Sequence, residues 1–71
     1  MKEQEKAILS TVYQNYLKTN NRQCYYDLTN LPDKRSIYDT ISFLVDCGYL
    51  DPITLSMSRC VVEITPLVFA L

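Results

Sequence analysis

Cys24, Cys47 and Cys60 are the obvious nucleophiles and soft metal ligands of this sequence, and no histidine accompanies them. A zinc site ordinarily takes four thiolate or imidazole ligands, often with two cysteines closely spaced, and no CxxC pair occurs here. A thiol or hydroxyl nucleophile needs an adjacent base, and the commonest one is missing. There is also no glycine-rich phosphate loop and no pair of carboxylates in a likely cleft. The three cysteines therefore read as reduced, small apolar side chains. The expectation is no enzyme, no cofactor and no metal.

What remains is contact chemistry. Lys34, Arg35, Ser36, Thr40, Ser42 and Arg59 are side chains suited to phosphate oxygens and base edges. Seven basic residues against eight acidic ones leave a net charge of −1, short of the positive excess usual for strong nucleic-acid binding. Phe43, Leu67, Phe69 and Leu71 are apolar side chains that a protein partner would cover.

Elements must position these residues. Ile8, Leu9, Val12, Tyr13, Tyr16 and Leu17 make an apolar stripe on a helix over Glu3–Lys18. Thr19, Asn20 and Asn21 end it. Arg22 to Tyr26 suits a short strand. Asp27 then suits the N-cap of a short second helix over Leu28–Leu31, which Pro32 stops. Ile37, Ile41, Leu44 and Val45 predict a longer helix from Lys34 to Cys47, with Asp33 or Ser36 as its cap. Gly48, the one glycine of the chain, is its left-handed stop. Alternation predicts a strand over Asp51–Met57, β-branched residues predict another over Cys60–Thr65, and Ser58-Arg59 is the tip between them. Thr65-Pro66 caps a short apolar tail that must pack on the first helix or on another subunit.

Seventy-one residues, 48% of them hydrophobic, allow one domain over 1–71 with a small core. No apolar run approaches the ~20 residues of a membrane span. The charged start MKEQEKAILS lacks a signal-peptide core, so the expected compartment is the cytoplasm.

The phrases SIYDTISFLVDCGYLD and CVVEITPL resemble those of the winged helix-turn-helix superfamily, in particular small prokaryotic transcriptional regulators. Leu44, Gly48, Tyr49, Leu50, Ile64, Thr65, Pro66 and Leu67 occupy the places that carry the likeness. The resemblance implies an α+β fold of three helices, a two- or three-stranded antiparallel wing and a short C-terminal helix. It implies double-stranded DNA as partner, with the Lys34–Cys47 helix in the major groove and the Ser56–Arg59 tip on backbone or minor groove. Lys34, Arg35, Arg22 and Arg59 are the cations this arrangement brings near one surface.

Asp39 and Asp46 depart from that picture, because each would approach phosphates unfavourably. Phe43 stands where such regulators commonly carry a polar or basic residue. It belongs to the core, to a protein interface or to a base contact. Tyr13, Tyr16 and Tyr49 fit core positions, while Tyr25, Tyr26 and Tyr38 are freer. Two readings follow: a DNA-binding regulator, or an interaction and dimerisation module without DNA binding. In either, a homodimer is expected, the first helix and apolar tail packing against their symmetry mates.

Overall fold

Glu3–Thr19 coils into α1 because its apolar residues fall on one face, and Ile8, Leu9 and Val12 are buried along it. The computed structural model describes residues 2–70. The Glu5 carboxylate accepts the main-chain N–H of Lys2 at 3.1 Å and so satisfies one free amide at the helix start. At the other end Asn20 takes φ 57°, and its N–H donates to the Tyr16 carbonyl at 2.8 Å. Asparagine tolerates this left-handed turn better than most side chains.

The chain continues through β1 (Gln23–Asp27), α2 (Lys34–Asp46), β2 (Leu50–Leu55), β3 (Arg59–Ile64) and a 3-10 turn, Pro66–Ala70, here called the tail. The three strands form an antiparallel sheet in the order β1-β3-β2. Both helices cover one face of it. Leu28, Ile41, Leu44, Leu50, Cys60 and Val62 meet between the layers with almost no exposure. Each such side chain contributes about 1.5–3 kcal/mol by leaving water.

The three-helix expectation is overturned. Among the described residues there are two α-helices, and Leu28–Leu31 is a turn. Four residues between a strand end and Pro32 cannot repay the cost of nucleating a helix. Asp27 uses its carboxylate locally instead, accepting the Thr29 N–H at 3.0 Å. Leu28 drops into the core from this turn. The expected C-terminal helix is only the 3-10 tail. Thr65 does not cap it with its side chain. Its hydroxyl lies 2.6 Å from the Gly48 carbonyl and 3.0 Å from that of Tyr49, sharing one proton between them.

Gly48 closes α2 as expected. At φ 87° it lets its own N–H reach the Val45 carbonyl while the Tyr49 N–H reaches that of Leu44, both at 3.0 Å. This pair of bonds satisfies two carbonyls of the last turn and aims the chain into β2.

Each sheet edge has one blocked position. Ile64 N–H donates to the Arg22 carbonyl and Leu28 N–H to that of Ser58, so even-numbered residues of β1 face β3 and odd-numbered ones face outward. At Gln23 the outward N–H is taken by Asn21 Oδ1 (3.0 Å) and the outward carbonyl by Asn15 Nδ2 (3.1 Å). On the opposite edge Pro52 has no N–H to offer, and the pairing slips between Pro52 and Thr54. Each edge thus has one position closed to a further strand.

Candidate interaction surfaces

Lys34 and Arg35 stand exposed at the start of α2, whose first amides have no helical acceptor. The Arg35 guanidinium sits 3.9 Å from the Asp39 carboxylate, both largely in water, so the pair contributes little. Ser36 and Thr40 turn toward α1. Their hydroxyls lie 2.9 and 3.1 Å from Gln4 Oε1, and that of Thr40 is also 2.9 Å from the Ser36 carbonyl. These bonds tie the two helix starts together. Ser42 is half-buried further along α2.

Arg59 opens β3 at the same end of the molecule. The β2–β3 turn is held there by Leu28 N–H and the Thr29 hydroxyl, which both donate to the Ser58 carbonyl, at 2.9 and 3.2 Å. Strand alternation nevertheless sends Arg59 to the open face of the sheet, because Cys60, Val62 and Ile64 occupy the face under the helices. It stands opposite Asp27 in register. The Thr29 N–H holds the Asp27 carboxyl below its ordinary pKa, so this acid stays charged beside Arg59. Arg22, by contrast, precedes β1 at the far end of the sheet, where its carbonyl meets Ile64. The cations thus divide between two layers and two ends.

The apolar candidates have a different distribution. Phe43 is 48% exposed and lines an open groove of about 700 Å³ with Gln4, Arg35, Asp39 and Thr40. Of the three positions open to it, the core is the one it does not take. The tail crosses the C-terminal half of α1, with Phe69 edge-on to Tyr13 and Tyr16 at 5.7 Å between ring centres. Val68 is buried beneath. Leu17, Leu67 and Phe69 remain 56%, 45% and 51% exposed. Leu71, the fourth apolar candidate, lies outside the described residues.

Leu17 was readable from sequence only as part of the buried stripe. It falls at the edge of that stripe and stays exposed. Tyr25, among the freer tyrosines, is exposed on the open sheet face, whereas Tyr26 and Tyr38 pack against the core. The Tyr26 hydroxyl donates to the Ile8 carbonyl at 3.4 Å, and burial raises its pKa. Burial likewise raises the thiols of Cys24 and Cys60. Cys47 lies exposed at the end of α2.

Among the described residues no three His, Cys, Asp or Glu side chains converge as metal ligands, and no helix is long and apolar enough to cross a membrane. No family model, characterised protein or solved structure matches the chain. Function is therefore read from the surfaces themselves.

Proposed function

We propose that this chain is a small protein-interaction module that pairs with a second copy of itself through α1 and the tail. The observation that carries this reading is the apolar surface where Phe69 of the tail lies edge-on to Tyr13 and Tyr16 and stays half exposed, with Leu17 and Leu67 exposed on the same two elements. Exposed apolar surface concentrated in this way is normally covered.

From Tyr13 to Leu17 the face rises about 6 Å along α1. It is two elements wide at roughly 10 Å between neighbours. Its area falls below the ~800 Å² that each partner gives to a standard interface, which suits a weak, reversible pair. Analytical ultracentrifugation under reducing conditions tests it. Replacing Leu17→Asp and Leu67→Asp is expected to remove one association step that the parent shows at high micromolar concentration. Identical masses for parent and variant overturn the reading.

A second reading, DNA binding, is supported by the placement of exposed Lys34 and Arg35 at the α2 start beside the docked β2–β3 turn. The likeness to winged-helix regulators points the same way. It requires log affinity for a random duplex to fall with log salt, each neutralised phosphate giving a slope of roughly −0.9. Two cations give a slope of about −2, and Lys34→Ala with Arg35→Ala should abolish it. A flat profile leaves the protein-interaction reading alone.

A further inference from the structure

The open face of the sheet carries three rows of side chains, fixed by strand register. Gln23, Glu63 and Asp51 form the first, Tyr25, Val61 and Thr54 the second, and Asp27 and Arg59 the third. Ser56 extends the third row, its N–H donating to the Arg59 carbonyl at 3.0 Å. Charge is therefore sorted along the central strand. Arg59 stands at one end with Asp27 beside it, Glu63 with Asp51 at the other, and an apolar pair, Tyr25 and Val61, lies between.

Two features of this face are unsatisfied in the single chain. Asp51 and Glu63 are direct cross-strand neighbours, and like charges in that position repel. Among the described residues the one ion pair within 4 Å is Arg35–Asp39, so Arg59, Asp51 and Glu63 have no such partner.

We infer that a second copy of this chain docks face to face on the open sheet, its β3 antiparallel to the first. A two-fold axis between the sheets, running across the strands at the Tyr25–Val61–Thr54 row, brings this about. Arg59 then lies over Glu63 of the other copy, twice by symmetry. Asp27 lies over Gln23 and Ser56 over Asp51, so no two like charges face each other. The middle row meets itself and buries Tyr25. A two-fold axis along the strands would instead set Arg59 on Arg59 and Glu63 on Glu63. The charge pattern thus selects one orientation of one partner.

This contact is independent of the α1–tail face, and the test separates them. Masses are measured by analytical ultracentrifugation with reductant in the Leu17→Asp, Leu67→Asp background, circular dichroism confirming the fold of each protein. The background is expected to form a dimer that weakens with added salt. Arg59→Glu should raise its dissociation constant at least ~10-fold, and adding Glu63→Arg should restore pairing. A monomeric background at every concentration overturns the sheet contact, as does an Arg59→Glu variant that pairs undiminished. Failure of the α1–tail contact has another signature: Arg59→Glu in the parent chain then gives a monomer, whereas an intact α1–tail contact leaves a dimer.

Discussion

Gly48 and the three cysteines show how single residues act here through backbone angle and exposure. An added Cβ at Gly48 would sit 3.7 Å from Leu67 Cδ2, an ordinary contact, so space is not the constraint. The constraint is φ 87°, which costs an ordinary residue about 1–2 kcal/mol. Gly48→Ala is expected to lower the unfolding free energy by about that amount in urea titration, with the slope unchanged. The cysteines divide by burial. Cys24 and Cys60 are enclosed and their thiols raised, whereas Cys47 faces water. Maleimide should therefore label one thiol quickly in the native protein, at Cys47, and all three after denaturation. Mass spectrometry of the timed reaction checks the order.

Among the elements, the connection from β1 to α2 departs most from what its sequence suggests. Its helical promise was Leu28 and Leu31 at a spacing of three with Asp27 before them, but Leu28 fills the core, Asp27 holds the Thr29 N–H, and Leu31 stays exposed. Leu28 is fully buried, so Leu28→Ala should cost about 2–5 kcal/mol by leaving a cavity between sheet and α2. That is a large share of the stability of so small a domain, and thermal melting should show it. The β1 edge makes a second element-scale point. Asn15 and Asn21 close the outward groups of Gln23 with side-chain hydrogen bonds. Asn15→Ala with Asn21→Ala is expected to leave the core intact but increase aggregation on heating, read by light scattering.

For the whole molecule, 71 residues leave little apolar surface to spare for a core, yet several large apolar side chains stay outside it. Pairing of copies would couple folding to concentration. The melting temperature of the parent should rise as the protein is concentrated, and that of Leu17→Asp, Leu67→Asp with Arg59→Glu should not. The groove beside Phe43 lies near the starts of both helices, away from the tail.

Read alone, the sequence determined those features that depend on local spacing. α1 and α2 follow from apolar residues at helical intervals, the α2 stop from a lone glycine, and β2 and β3 from alternation and β-branching. Their bounds agree with the structure to within about two residues. Local spacing centred the buried side of α2 on Ile37, Ile41 and Leu44 and set Arg35, Asp39, Ser42, Phe43 and Asp46 opposite; Ile41 and Leu44 are buried, Ile37 and Ser42 half-buried, and the other four exposed.

Contacts between distant residues were decided only by the tertiary structure. Gln4 engages Ser36 and Thr40 across 32 and 36 positions, and no pattern within either helix announces that. The face taken by Arg59 depends on the phase of β3 against the core. Arg22 and Arg59 look alike in sequence, yet they fall at opposite ends of the sheet because β1 and β3 run antiparallel. The tail packs on its own α1 through Phe69, as residues brought together by the sheet permit. Periodicity records which side of an element avoids water, but it carries no record of what that side meets.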